Sequence, residues 1–348
     1  RTSGELRIPR TPLLYRRRAF PWRDAAPSMG RRRTRMYVTC ESAVPHGSPS
    51  GPLTCLLLST QSLLPFSDNA PTVSRSWHAV AMLLPAGALA APSVLGMHLA
   101  LTLAQQLASH AKPPCVLMML TCGVLSSGGA PSDTAHGGAW GFGRVLRLEH
   151  PALHAQSVDL PWHGLRSVAQ HAASNAPMAE AETSWHGATR FAARLRACLV
   201  VPTPSSVVVR GVYAITGGLG GLGLRAAQML VEGGLSEVLL ASRSGRVVRD
   251  GQGLKAQLQS MSPVATVLAW DSADCQDSKA LFSVRSLAGV LHAAGMIDKG
   301  LLNKLEVQRL HWMYASKAIG AWHLQCAADV LPLEACVLFS SVGSGLAN

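Results

Sequence analysis

Val212-Tyr213-Ala214-Ile215-Thr216-Gly217-Gly218-Leu219-Gly220-Gly221-Leu222-Gly223 decides the fold. A short apolar run of strand length passes directly into a glycine turn. Leu222–Glu232 then carries helical spacing and is closed by Gly233-Gly234. The turn satisfies the dinucleotide fingerprint as Gly218-x-Gly220-x-x-Gly223. In that arrangement the first glycine allows the tight turn and the second lets backbone N–H groups approach a pyrophosphate. The third lets the helix pack close to the strand, its positive end aimed at the anion. Glycine is common in this chain, so the spacing alone is weak, and the strand before and helix after are the confirming context. The bland alternative is a glycine-rich structural turn.

Outward from the turn, Val238–Ala241, Val264–Ala269, Ala288–His292 and Cys336–Phe339 read as further strands. Gly253–Ser260, Asp277–Phe282 and Leu301–Asp329 carry helical spacing between them. Strands alternating with helices predict an α/β fold, a Rossmann-like doubly wound parallel sheet. Upstream, Ala79–Leu84 and Cys115–Thr121 read as buried strands around a helix over Val94–Ser109, a second βαβ unit. No Asp, Glu, Lys or Arg occurs from Ser76 to Ala111, a length that spans a bilayer. Pro85, Gly87, Pro92, Gly96 and His98 interrupt it, so strand, turn and buried helix are expected rather than a membrane span. Residues 1–70 are rich in Arg, Pro and Ser and read as a poorly ordered linker, with at most a short strand around Thr54–Ser59. The expected domains are therefore 1–70, 71–205 and 206–348.

The 348 residues suffice for two domains, and 48% hydrophobic against 14% charged residues suits packed α/β structure. Eleven arginines against Glu5 and Asp24 put nine of the twelve net positive charges before Tyr37. The body is nearly balanced, so no uniformly basic nucleic-acid-binding surface is expected; for the basic start, docking on flanking domains is the blander reading and a nucleic-acid-binding arm the rival. The eight cysteines are scattered without a Cys-x-x-Cys pair: Cys40, Cys55, Cys115, Cys122, Cys198, Cys275, Cys326 and Cys336. Most lie in apolar runs, so buried, reduced thiols are expected, with no metal site, in the cytoplasm or another reducing compartment.

The end of the second strand selects the dinucleotide. An acid there binds ribose hydroxyls, whereas a 2′-phosphate needs a cation. Ala241-Ser242-Arg243-Ser244-Gly245-Arg246 offers the Arg243 guanidinium and the Ser242 hydroxyl, with no carboxylate until Asp250. NADPH is expected over NADH.

These motifs together resemble the ketoreductase domain of modular polyketide synthases and animal-type fatty acid synthases, within the short-chain dehydrogenase superfamily. Thr216 to Gly223 also fits that superfamily's Thr-Gly-x-x-x-Gly-x-Gly turn, whose Thr216, Gly218, Leu219, Gly220, Gly221, Leu222 and Gly223 would line the cofactor. Trp270-Asp271-Ser272 resembles the family's adenine contact, although Asp271 also suits a helix cap. His292-Ala293-Ala294-Gly295 resembles the strand end beside the cofactor, with His292 a packed residue rather than an acid or base. Ser316-Lys317-Ala318 resembles the lysine helix, and Phe339-Ser340-Ser341-Val342-Gly343 the segment with the catalytic serine. Lys317 and Ser341 are the implied catalytic residues. Their order, lysine before serine, separates synthase ketoreductases from most stand-alone short-chain dehydrogenases. Ala135 to Val145 with Leu148-Glu149-His150-Pro151 resembles the family's degenerate Rossmann-like structural subdomain, which binds no cofactor. Gly137, Gly138, Gly141 and Gly143 follow no predicted strand, so they are assigned to packing.

The resemblance implies NADPH-dependent reduction of a β-ketoacyl chain carried on the phosphopantetheine arm of an acyl carrier protein domain, beside other synthase domains. The family's proton-donating tyrosine and a following asparagine lie further beyond the serine than the seven residues after Ser341. Starting at Arg1 and ending at Asn348, the chain reads as a C-terminally truncated fragment with an incomplete sheet, expected to be inactive by itself. Tyr213 and Tyr314 occupy the wrong motifs to replace that tyrosine. Ile297-Asp298-Lys299 departs from the Leu-Asp-Asp of one stereochemical class, so the motif assigns no reduction face. The rival readings are a catalytically silent Rossmann scaffold and a stand-alone dehydrogenase.

Overall fold

The computed structural model describes residues 55–59, 79–84, 91–109, 116–125, 134–161, 179–186, 189–194, 210–248, 251–284 and 286–341. All of them belong to one compact unit, residues 35–348. They build two sheets.

The first sheet has six strands in sequential order: β1 (Cys55–Ser59), β2 (Ala79–Leu84), β3 (Val116–Cys122), β4 (Gln156–Leu160), β5 (Glu182–His186) and β6 (Thr189–Phe191). β1 to β5 pair in parallel, and β6 closes the sheet as an antiparallel partner of β5. The continuous apolar run of β3 is buried at every position, as a central parallel strand requires. Helix α1 (Val94–Ala108) starts where the Ser93 hydroxyl accepts the Gly96 N–H. It packs with α2 (Gly138–Glu149) on the sheet through Leu101, Leu107, Met119, Phe142 and Leu146. In α2, a methyl on Gly143 would stand 2.3 Å from Met119 Cε and 2.7 Å from Ser157 Oγ, so this glycine sets the helix-to-sheet spacing. Asp159 on β4 accepts from Thr121 Oγ1 and from the Val124 and Leu125 N–H groups, tying down the turn after β3.

The second sheet is parallel throughout, in the order β11-β10-β7-β8-β9. Its strands are β7 (Val212–Thr216), β8 (Glu237–Ser242), β9 (Ala265–Ala269), β10 (Leu287–His292) and β11 (Ala335–Leu338). Helices α3 (Gly221–Glu232) and α4 (Leu254–Ser260) cover the face bearing Ile215 and Leu240. Leu281 of α5 (Cys275–Val284) and Leu324 of α7 (Gly320–Ala328) cover the opposite face, with Ala214, Leu239 and Val290. Side chains from one strand thus enter two cores, the packing of a doubly wound sheet. The chain runs outward through β7, β8 and β9, then returns to β10 on the other side of β7. That reversal leaves a crevice at the carboxyl ends of β7 and β10.

The long helical segment predicted over Leu301–Asp329 is divided. It consists of a 3-10 turn (Leu302–Lys304), α6 (Val307–Tyr314), a π-helical turn (Ala315–Ile319) and α7. Leu302, Leu305 and Leu310 are buried in the core of the first sheet, with Met313 and Tyr314 packed against it. Cys122 is buried, but Cys326 and Cys336 are exposed, contrary to the expectation of buried thiols. For Cys336 the reason is position: among the described strands β11 is an edge, with only β10 beside it. Cys40, Cys115 and Cys198 lie outside the described residues. No helix among the described residues is long and apolar enough to cross a membrane.

Candidate functional site

The crevice is built first by the glycine turn. Gly217 takes the left-handed conformation (φ +67°), and a methyl on it would stand 2.7 Å from both N and Cα of Ala294. Gly218 donates its N–H to the Ala241 carbonyl at 3.0 Å, and a methyl there would meet Ile215 O at 2.7 Å. A methyl on Gly223 would meet Gly217 O at 2.5 Å. The tight turn therefore belongs to Gly217 and not to Gly218, the first fingerprint glycine. The superfamily pattern Thr216-Gly217-x-x-x-Gly221-x-Gly223 carried that signal. Gly220 and Gly221 are less confined: a methyl would find nothing nearer than 3.3 Å and 3.6 Å, respectively. The first turn of α3 carries no acid and no side-chain cap hydrogen bond, so the helix's positive end is not neutralised by its own side chains. Leu219 is buried beneath the turn and Leu222 is exposed on it.

At the end of β8, the Ser242 hydroxyl is buried without a hydrogen-bond partner. A buried unpaired hydroxyl is costly, and its position beside Arg243 suits a ligand acceptor. Arg243 lies with its guanidinium 5.6 Å from the centroid of the Trp312 ring, donating to Met296 Sδ at 3.3 Å. The side chain thus reaches from the end of β8 toward the loop after β10, across the end of β7. Neither Trp312 nor Met296 carries a sequence signal, because each is brought here by the loop and helix after β10. Asp271 Oδ1 accepts the Ala273 N–H at 3.0 Å, whereas Asp274 accepts the Gln276 and Asp277 N–H groups and caps α5. The capping role considered for Asp271 falls to Asp274. Ser272 is buried, and a methyl on Gly320 would stand 2.7 Å from its hydroxyl.

His292 links the parts. Its Nδ1 is 2.6 Å from Thr216 Oγ1 and its Nε2 is 3.2 Å from the Lys317 carbonyl. Burial lowers the imidazole's pKa, against the carbonyls of Lys317 and Ser316, which favour the charged ring. Ala293 N donates to Thr216 O, so Ala293 and Ala294 lie along the glycine turn. Gly295 then borders the lysine: a methyl there would stand 3.1 Å from Lys317 Cε. Lys317 lies on the π-helical turn, a local widening frequent at functional sites. Phe339 N donates to His292 O, which brings the chain end carrying Ser341 beside β10. Glycine turn, His292–Gly295 and Lys317 thus form one contiguous surface. Tyr314 is elsewhere, half-buried against the first sheet's core, where desolvation pushes the pKa of its phenol up to about 12. Tyr213 is also buried, its ring within 2.2 Å of a methyl placed on Gly289. Asp298 does not face the crevice as a free acid. Both its oxygens accept from Arg309 at 2.6 Å, and the Gly300 N–H, then that guanidinium, hold its carboxyl below the ordinary value.

Residues 211–348 match the family model described as "KR domain". The chain is 34% identical over 268 residues to the polyketide synthase GfsA of Streptomyces halstedii, covering 72% of this chain and 4% of that protein. It is 31% identical over 250 residues to a phenolphthiocerol/phthiocerol polyketide synthase of Mycobacterium tuberculosis, covering 69% of this chain and 14% of that one. The chain thus spans only a small part of these relatives. Among solved structures, an A-type ketoreductase from a modular polyketide synthase superposes with TM-score 0.67 at 30% identity, covering 78% of this chain and 60% of that one. The ketoreductase from the first module of phoslactomycin biosynthesis in Streptomyces sp. HK803 gives 0.68 at 26% identity, covering 84% and 68%.

Proposed function

Residues 211–348 belong to the KR-domain family, and from that premise we propose that they bind NADPH and supply part of the machinery that, together with the family's tyrosine, reduces a β-ketoacyl chain within a polyketide synthase. The observation that carries the reading is the contiguity of the glycine turn, His292–Gly295 and Lys317 at the switch point of the second sheet. The residues present fit the cofactor. The open N-terminus of α3 at Gly220 and Gly221 suits a pyrophosphate, and the unpartnered Ser242 hydroxyl with Arg243 suits a 2′-phosphate. Asp271, Ser272, Ala293, Ala294 and Gly295 would flank the rest of the dinucleotide. When bound, the reduced nicotinamide supplies hydride. The chain's own groups do the remainder. Ser341 donates a hydrogen bond to the ketone oxygen as negative charge develops on it. Lys317 presents its ammonium to the family's tyrosine, favouring the phenolate and so tuning the proton donor. His292, held between Thr216 and the Lys317 carbonyl, fixes the strand end against the lysine turn and takes no proton.

Residues 71–205, together with the strand β1 (Cys55–Ser59) that joins their sheet, serve as the cofactor-free subdomain, 206–348 as the cofactor-binding one, and the residues before Cys55 as the approach from a neighbouring synthase domain. The substrate arrives on the phosphopantetheine arm of an acyl carrier protein domain. Titration of the protein with NADPH and NADH by fluorescence tests the reading. Tighter binding of NADPH, lost in Arg243→Ala, is the expected result. Absence of binding by either dinucleotide means a silent scaffold, and equal binding of both means that Arg243 does not read the phosphate.

A further inference from the structure

Lys317 is approached by a segment that the other sheet holds. Gln105, near the end of α1, donates from Nε2 to the carbonyls of both Leu302 and Leu305, at 2.8 and 3.0 Å. Glu149, the last residue of α2, accepts the Leu302 N–H on Oε2 at 2.6 Å. Leu302, Leu305 and Leu310 are buried beside Leu101, Leu107 and Leu146 of the first core. Tyr314 closes the contact: a methyl on Gly138 of α2 would stand 2.8 Å from its hydroxyl. The π-helical turn begins at the next residue. A π turn breaks the regular i→i−4 ladder, so the direction in which Lys317 points depends on what fixes the chain on either side. On the far side that is the His292 imidazole on the Lys317 carbonyl. On the near side it is Gln105 and Glu149.

We propose that Gln105 and Glu149, both in the subdomain that holds no cofactor, are positioning residues for Lys317. They fix the two carbonyls and the one N–H that start the lysine segment, so the first sheet sets where the ammonium stands in the crevice of the second. The inference rests on the role assigned to Lys317 above.

The test uses variants that keep volume. Gln105→Leu removes both donors at similar size, Glu149→Ala removes the acceptor, and Glu149→Gln retains an acceptor oxygen and serves as the rescue. Arg194→Ala, whose partner Glu180 lies on the exposed rim of the first sheet, is the control. The first readout is the acylation rate of the Lys317 amine at fixed pH, followed by mass spectrometry against the other lysines as internal standards. The second is the dissociation constant for NADPH. In Gln105→Leu and Glu149→Ala, Lys317 labelling is expected to change about two- to tenfold, the range of one net hydrogen bond, with NADPH weakened by a similar factor. Glu149→Gln and Arg194→Ala should stay near the parent on both. Urea midpoints identify conditions in which every variant is folded, and where Glu149→Ala is not folded, Gln105→Leu against Glu149→Gln decides. A lowered midpoint with unchanged Lys317 labelling overturns the proposal and leaves these contacts to folding alone. If the parent itself fails to bind NADPH, the functional reading falls, and the labelling comparison still decides the positioning.

Discussion

At the scale of single residues, the crevice sorts its glycines by what each would touch. Gly217 needs its positive φ and lies against backbone atoms of Ala294, which cannot rotate away. Gly217→Ala is therefore expected to destabilise the fold by about 2 kcal/mol or more, read as a fall in the urea midpoint. Gly220→Ala adds a methyl whose nearest neighbour is Gly217 O at 3.3 Å. Its stability should change by less than about 1 kcal/mol, while NADPH affinity falls because the methyl occupies the approach to the α3 N–H groups. If Gly220→Ala lost stability and kept affinity, the pyrophosphate would not lie there. Arg243 gives a second contrast. Losing a charge-assisted fork to the 2′-phosphate should weaken NADPH by about tenfold to a hundredfold, with NADH within about threefold of the parent. The fingerprint spacing singled out this turn, but it counts glycines without knowing φ, so it placed the tight turn one residue late. The contacts of Arg243 with Trp312 and Met296 were illegible for a different reason. They depend on where a loop and a helix return in space.

At the scale of elements, the legible parts were those whose hydrophobic pattern is self-sufficient. β2 and β7 fall on the predicted residues, and α1 ends one residue short of the predicted helix, at its capping Ser109. These segments are apolar throughout or bounded by glycine or serine, so local chemistry fixes their ends. β4, β5 and β6 were not foreseen as strands. β5 and β6 are polar and held by partners, Glu182 of β5 receiving both Arg144 and Arg147 of α2. The three side chains are about one-fifth exposed, and Arg144 binds the carboxylate through two nitrogens. Glu182→Ala would leave two half-buried guanidinium groups facing each other. About 2 kcal/mol of stability should be lost, and the Glu182→Gln variant should recover part of it. A loss indistinguishable from that of Arg194→Ala on the exposed rim would make the pair a surface interaction of little energetic weight. The break of the Leu301–Asp329 segment into α6, a π turn and α7 was likewise illegible. Helical spacing runs through all three, and Tyr314, the residue before the π turn, packs against the first sheet's core.

At the scale of the molecule, the Leu302–Tyr314 segment lies in the chain between β10 and β11 of the second sheet and buries its side chains in the core of the first, so the second sheet cannot unfold without drawing on the first core. A single cooperative urea transition is the consequence. The same junction gives that transition a pH dependence. His98 of α1 meets His311 of α6 edge-on, with ring centroids 6.4 Å apart, and its imidazole is held below the ordinary value first by burial, then by His311. His292, buried between Thr216 and the lysine turn, is lowered by burial as well. In the unfolded chain both titrate near 6.5. In the folded chain both resist the proton, so below that pH the unfolded state binds more protons and stability declines as pH falls. The contribution is complete above about pH 6.5 and is lost through the folded values. Urea midpoints at pH 7.5, 6.5 and 5.5 should therefore descend at constant slope m, most steeply below 6.5. His98→Gln and His292→Gln should each flatten the descent, and the pair together more than either. Because the two rings lie on opposite ends of the lysine segment, one in each subdomain's packing, their effects should add. A descent that survives in the double variant would assign the acid sensitivity to other groups, and a transition that splits in two would show that the shared segment does not couple the sheets.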